Sequence, residues 1–201
     1  MHSTRKDLKE LRKQLEKRLI QKAYRALISY MMSLRTHFKN NGKGFTVSGL
    51  YQGYLDMTYF ALFPPSLQHR DLKIAVVFNY DAFRFEAWLA GSNRTIQRQY
   101  WKLFQDSPWP GYRVVTPASG VDSIIECDLA TDFDLDDPDT LTASIEKATV
   151  AFIGDIERFF AEHESFEQNR SSVSPRHGPA HRLDGALDGS DHGRGSRLRG
   201  S

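Results

Sequence analysis

The spacing of hydrophobic and polar residues divides the first 164 residues into helices and strands. Apolar residues recur every three or four positions over 4–18 and again over 21–39, so both segments are predicted to be helical, either continuous or separated by a kink. Residues 45–63 are predicted to be extended as a first strand, because two sets of residues alternate between its faces over 54–63. Pro64 and Pro65 end this first strand.

The alternation is clearest in two strands that flank a short turn, LKIAVVFNY at 72–80 and FRFEAWL at 83–89. Within the second of them, Arg84, Glu86 and Trp88 are expected on one face, opposite the phenylalanines. Burying a charge on a covered sheet face costs free energy unless the charge is paired, so we expect a functional site on this face.

The remaining pattern predicts a helix from Asn93 to about Asp106, strands over 112–116 and 123–130, and a last helix from Pro138 to about Glu164. The element order α-β-β-β-α-β-β-α predicts an α+β fold. We expect an antiparallel sheet of about five strands, packed with N-terminal, middle and C-terminal helices. One domain is expected over 4–164, followed by a disordered, low-complexity tail over 168–201.

Charge is unevenly distributed, although the whole chain carries only +2. Residues 1–43 hold 12 Lys/Arg and 3 Asp/Glu, whereas residues 121–170 hold 3 and 14. These segments could neutralise each other within one chain or across a homo-oligomer, and the alternative is a basic helix that binds a polyanion. The balanced total gives no reason to expect nucleic acid as a partner.

Compartment and cofactor signals are few. The single cysteine, Cys127, cannot form an intrachain disulfide, and the charged start lacks a signal-peptide pattern. No apolar run is long enough to cross a bilayer, so a cytoplasmic protein is expected. No phosphate loop, metal-ligand spacing or nucleophile motif appears, so neither a cofactor nor a metal is predicted.

The candidate ligand-binding site combines the polar faces of the first three strands with the start of the middle helix. In the first strand, Tyr54, Asp56, Thr58 and Phe60 are expected on that face. The predicted site residues are Tyr54, Asp56, Arg84, Glu86, Trp88 and Arg94. A non-enzymatic binding or interaction domain, with an unidentified ligand or protein partner, is the leading hypothesis. The alternatives are a solvent-facing sheet with ordinary ion pairs, and a plainly capped helix.

A second functional hypothesis is a divalent-metal-dependent phosphodiesterase, because the element order resembles that of restriction-type nucleases. Those enzymes place an acid near the second strand and a Glu-x-Lys on the third. Here Asp56 or Asp81 could supply the acid and Glu86 the glutamate, but Trp88 replaces the lysine, which indicates a degenerate site.

The segments LIQKAYRALISYMMSLRTHF, YQGYLDMTYF, LKIAVVFN and RFEAWLAGSNRTIQRQYWKLF carry a family resemblance. Together they resemble a bacterial family of small cytoplasmic proteins that is described only as a domain of unknown function. The resemblance covers about residues 5–162 and implies no catalytic residues.

Overall fold

The fold was derived from a computed structural model, which describes residues 4–42, 44–107 and 111–172. The helices in this part of the chain are α1 (Thr4–Glu16), α2 (Leu19–Asn41), α3 (Pro65–Gln68), α4 (Arg94–Asp106) and α5 (Pro138–Ser172). The strands are β1 (Thr46–Val47), β2 (Tyr51–Gln52), β3 (Met57–Phe63), β4 (Leu72–Asn79), β5 (Arg84–Gly91), β6 (Arg113–Val114) and β7 (Ser123–Ala130).

These strands form one antiparallel sheet with the order β1-β3-β4-β5-β7-β6, and β2 also pairs with β3. The predicted α+β class, the antiparallel sheet and the three helical regions are therefore confirmed. The described chain contains seven strands rather than about five.

The hydrophobic core lies between one face of the sheet and the helices. Phe60, Phe78 and Phe85 on that face are fully buried. Tyr30 of α2 packs edge-on against Phe85 with 5.5 Å between ring centroids, and its hydroxyl lies 3.2 Å from the Thr142 hydroxyl of α5. These contacts place α2 and α5 over the same apolar face.

The single strand predicted over 45–63 is wrong, because the chain there forms three strands. Gly53 to Asp56 form a bend between β2 and β3, with Leu55 in the left-handed region at φ 61°. The alternating residues predicted as the first strand give no sign of this bend. The prolines that were expected only to end a strand also begin the short helix α3, since proline suits the first helical turn.

The two N-terminal helices are separated by a kink, which is one of the two arrangements expected from the sequence: Arg18 adopts a left-handed conformation between α1 and α2, with φ 63° and ψ −1°. Helix α5 differs from the prediction, because it continues to Ser172, beyond the expected end near Glu164.

Residues 1–164 form one compact unit. The boundaries expected from the sequence, a domain over 4–164 and a disordered tail over 168–201, stay predictions. Most of that tail, residues 173–201, lies outside the described residues. Within the described part of the chain, no helix combines the length and apolar character needed to cross a bilayer.

Candidate functional site

The site is built on strand β5, whose side chains alternate between the two faces of the sheet. Arg84, Glu86 and Trp88 project from the face opposite Phe85 and Leu89, as expected from their spacing. We call this side of the sheet the polar face. Among its residues, Glu86 stands out because its carboxylate is completely buried.

Three donors satisfy the Glu86 carboxylate. Arg84 Nε donates to Oε1 at 2.6 Å, Trp88 Nε1 donates to Oε2 at 2.8 Å, and Asn79 Nδ2 donates to Oε2 at 3.2 Å. This pairing compensates for the removal of the charge from water. The hydrogen bond to Glu86 is also the main reason why the pKa of Arg84 lies above its ordinary value.

The ion pairs continue toward β7 and β6. Arg84 Nη1 lies 3.2 Å from Asp128 Oδ2, and Arg113 pairs with Glu126. Ser123 Oγ also donates to Glu126 Oε1 at 2.6 Å. On this side of Trp88, the charged side chains of the polar face pair with one another across the strands. This part of the face agrees with the alternative hypothesis of a sheet face with ordinary ion pairs.

A cavity of about 190 Å³ lies on the other side of Trp88, toward β3 and β4. Trp88 pairs across the strands with Ala75, and Lys73 pairs with Ala90. Because the two alanines are buried and small, they leave a depression between the larger side chains. The cavity is lined by Met57, Tyr59, Lys73, Ala75, Trp88, Ala90, Gly91, Ser92, Asn93, Arg94, Gln97 and Asp122.

Two aromatic rings and one lysine give this cavity its chemical character. Tyr59 and Trp88 are both half-buried. Burial raises the pKa of the Tyr59 hydroxyl, and the nearby charge of Asp122 raises it further. Within residues 4–42, 44–107 and 111–172, no carboxylate pairs with the ammonium group of half-buried Lys73. The cavity therefore combines π-surfaces with a cation that can receive an anion.

The start of α4 closes one side of the cavity. Asn93 Oδ1 accepts hydrogen bonds from Thr95 N at 2.9 Å and Ile96 N at 3.0 Å, so the helix is capped by its own side chain. This cap does not support an anion site at the helix terminus. A Cβ atom on Gly91 would lie 2.8 Å from Gln97 N, so glycine allows the end of β5 to approach α4 closely.

Arg94 is held in place beside the cavity. Its Nη1 donates to Gln97 Oε1 at 2.8 Å and to the Val121 carbonyl, and its Nη2 lies 3.4 Å from Asp122. Gln97 is itself buried and donates to the Val121 carbonyl at 2.8 Å. Arg94 is thus partly neutralised, which leaves Lys73 as the stronger attraction for an anion.

The structure brings together only some of the predicted site residues. Trp88 and Arg94 line the cavity, while Arg84 and Glu86 lie behind Trp88 and support it. Tyr54, 98 % exposed, lies with Asp56 in the bend between β2 and β3, outside the cavity lining. Their expected place on the polar face is wrong, because the strand begins only after them.

The expected face of the first strand is also wrong for Thr58 and Phe60, which are buried on the apolar side. Tyr59 is the residue of β3 that faces the cavity, and sequence reasoning missed it. Lys73 also lines the cavity, as its alternation with the apolar residues of β4 predicts. The register Tyr59–Val77–Glu86 links β3 to the polar face of β5. That register follows from the hairpins rather than from any single strand's pattern.

The geometry does not support the metal-dependent phosphodiesterase. Glu86 is buried and fully occupied by donors, and Asp56 Oδ1 accepts from Met57 N at 2.7 Å in the bend. The described residues contain no group of three or more His, Cys, Asp or Glu side chains suited to hold a metal ion.

Comparison with known proteins identifies the family. The family model for the Domain of unknown function (DUF7000) matches residues 4–160. The chain belongs to this DUF7000 family. No curated protein and no solved structure matches the chain. Membership in the DUF7000 family confirms the resemblance to a domain of unknown function, and it indicates no specific activity.

Proposed function

We propose that this DUF7000 domain is a non-enzymatic binding module for a small ligand that has a planar ring and an acidic group. The observation that carries the proposal is the cavity beside Trp88, where two aromatic side chains meet Lys73. A ring would pack against Tyr59 and Trp88, and its carboxylate would reach Lys73.

The size of the cavity restricts the ligand. Protein cavities that hold drug-sized molecules usually measure about 300–1,000 Å³, and one of about 150 Å³ accepts benzene. A volume of about 190 Å³ suits one ring with a short acidic substituent. Arg94 and Asp122 largely offset each other at the rim, so Lys73 leaves the site with a net positive charge.

The probe for this proposal is benzoate, with neutral benzamide as the matched comparison. We expect benzoate to shift the NMR signals of the Trp88 indole N–H and the Ala75 and Ala90 amides in a saturable way. Lys73→Gln should weaken benzoate binding about 10- to 150-fold, since a charge-assisted hydrogen bond contributes about 1.5–3 kcal/mol. Benzamide should bind the wild-type protein about as weakly as benzoate binds this variant.

Lys147→Gln serves as the control, because Lys147 is exposed on α5, outside the cavity lining. It should leave benzoate binding unchanged. Equal affinity for benzoate and benzamide, or signal changes that avoid Trp88, would contradict the proposal.

A bacterial origin and a cytoplasmic location are part of the same proposal. The family resemblance supports the first, and the single Cys127, which excludes an intrachain disulfide, is compatible with the second. Fractionation of cells that express the full chain tests the location.

A further inference from the structure

Helix α1 exposes an apolar stripe that the described chain does not cover. Leu8, Leu11 and Leu15 are 60 %, 49 % and 37 % exposed, and α1 contains no buried residue. Leu19, the first residue of α2, extends the stripe and is 67 % exposed. A helix of 13 residues is marginal alone and normally gains stability by burying its apolar side. The stripe is therefore suited to pack against a partner surface.

The connection to α2 ends α1, whose leucines lie outside the hydrophobic core. Arg18 adopts its left-handed conformation between the two helices, and its N–H donates to the Leu15 carbonyl at 3.1 Å. The Gln21 side chain also donates to the Leu15 carbonyl, at 2.9 Å. This turn ends α1 and leaves its leucines available to another molecule.

A complementary surface lies between the end of β7 and the start of α5. A groove of about 450 Å³ there is lined by Asp132, Asp134 and Asp137, together with the apolar Leu129 and Phe133. Residues 128–139 contain six aspartates and no lysine or arginine. Phe83 adds an apolar rim, because it is 64 % exposed and its ring centroid lies 5.8 Å from that of Phe133.

The two surfaces match in charge and in apolar character. Residues 4–18 hold seven lysines and arginines and three acidic residues, and they flank a leucine stripe. The groove offers aspartates around phenylalanine and leucine. Pairing of α1 with another α1 would bring like charges together, whereas pairing with the groove brings opposite charges together.

We propose that the protein forms a two-fold symmetric homodimer in which α1 of each copy lies in the acidic groove of the other copy. Reciprocal exchange uses both surfaces twice and closes the assembly. The occupant is a second copy rather than the same chain, because α1 buries none of its residues within one chain.

Sedimentation equilibrium of the full chain tests the assembly. The wild type should be dimeric at about 50 μM protein in low salt, and Leu11→Gln/Leu15→Gln should be monomeric. Asp132→Asn/Asp134→Asn should raise the dimer dissociation constant at least tenfold. Asp106→Asn/Glu162→Gln, which removes two exposed charges elsewhere, should leave it unchanged. Raising NaCl from about 0.05 to about 0.5 M should weaken the dimer, because the contact is electrostatic in part.

Cross-linking distinguishes the proposed contact from its alternatives, in a Cys127→Ser background. One copy carries Lys9→Cys on α1 and the other carries Thr131→Cys in the groove. Oxidation of the mixture should give a product with the mass of two chains, and Lys9→Cys alone should give much less of it.

A monomeric wild type would overturn the proposal. If Lys9→Cys and Thr131→Cys were placed in the same chain and formed a cross-link only within that chain, the proposal would also be overturned. A dimer that neither the double leucine substitution nor the double aspartate substitution weakens would overturn it as well. Binding of a monomeric wild type to vesicles containing phosphatidylserine would assign the leucine stripe to a membrane surface instead, and would likewise refute the proposal.

Discussion

Replacing Glu86 with alanine should destabilise the domain strongly, because its carboxylate is fully buried and accepts hydrogen bonds from three side chains. Breaking a buried ion pair from one side typically costs about 3–5 kcal/mol. The cost here should lie near the lower end. Arg84 keeps Asp128 at 3.2 Å and is already 26 % exposed, so its charge can return to water.

The remaining cost comes from the other donors. Trp88 Nε1 would lose the acceptor that it has among the described residues, which costs about 1–3 kcal/mol for a buried group. Asn79 would lose less, since its contact is the longest at 3.2 Å and its Oδ1 still accepts from Asp81 N and Ala82 N. We therefore expect about 3 kcal/mol for Glu86→Ala and about 1–2 kcal/mol for Glu86→Gln, which keeps the shape and one acceptor.

Urea unfolding followed by far-ultraviolet circular dichroism measures these differences. In thermal unfolding, Glu86→Ala should lower Tm by about 6–12 °C, at about 2–4 °C per kcal/mol for a domain of this size. Asp128→Asn is the control, because its side chain is 48 % exposed and its ion pair should contribute less than about 1 kcal/mol. A Glu86→Ala protein within about 1 kcal/mol of the wild type would refute the reasoning from buried hydrogen bonds.

Three further predictions concern other parts of the domain. Burial raises the pKa of Cys127 from about 9 to about 11, together with the charges of Asp128 and Asp155. The native thiol should therefore react with iodoacetamide near pH 8 about 100-fold more slowly than the thiol of the urea-unfolded chain, and comparable rates would contradict this. Asn93→Ala should destabilise the domain by about 1 kcal/mol in urea unfolding, and Asn93→Asp, which keeps the acceptor, should not. Burial raises the pKa of Tyr112 above its unfolded value near 10, so the contribution of Tyr112 to stability should be constant below about pH 10 and be lost as the pH rises toward the folded pKa. The urea midpoint should therefore fall less steeply above about pH 10 in Tyr112→Phe than in the wild type, and equal slopes would contradict this.

The side chains of β5 that share a face were predictable, because the alternation depends only on the local backbone geometry of a strand. A period of two places Arg84, Glu86 and Trp88 together whatever the rest of the sheet does. The fold class was predictable for a similar reason, since short turns between successive strands favour antiparallel pairing. The mutual hydrogen bonds of these three residues join positions two apart on a single strand.

The cavity was not predictable from the same pattern. Its composition depends on the register that sets Tyr59 opposite Val77 and Ala75 opposite Trp88. That register depends in turn on where β3 begins. The left-handed Leu55 moves this start to Met57, and nothing in the alternation over 54–63 predicts that conformation for a leucine. An error in the first strand therefore reversed the face assigned to Tyr59.

Stability and binding depend on different parts of the polar face. The only hydrogen-bond donor of the Trp88 indole already donates to Glu86, so Trp88 can contact a ligand only through its π-surface. Glu86 is therefore a positioning residue, and its loss should reduce both stability and benzoate affinity. Lys73 has no ionic partner within the described ranges, so its replacement should reduce affinity alone. If Lys73→Gln destabilised the fold as much as Glu86→Gln, the lysine would belong to the structural network, and the positive charge invoked for ligand recognition would already be in use.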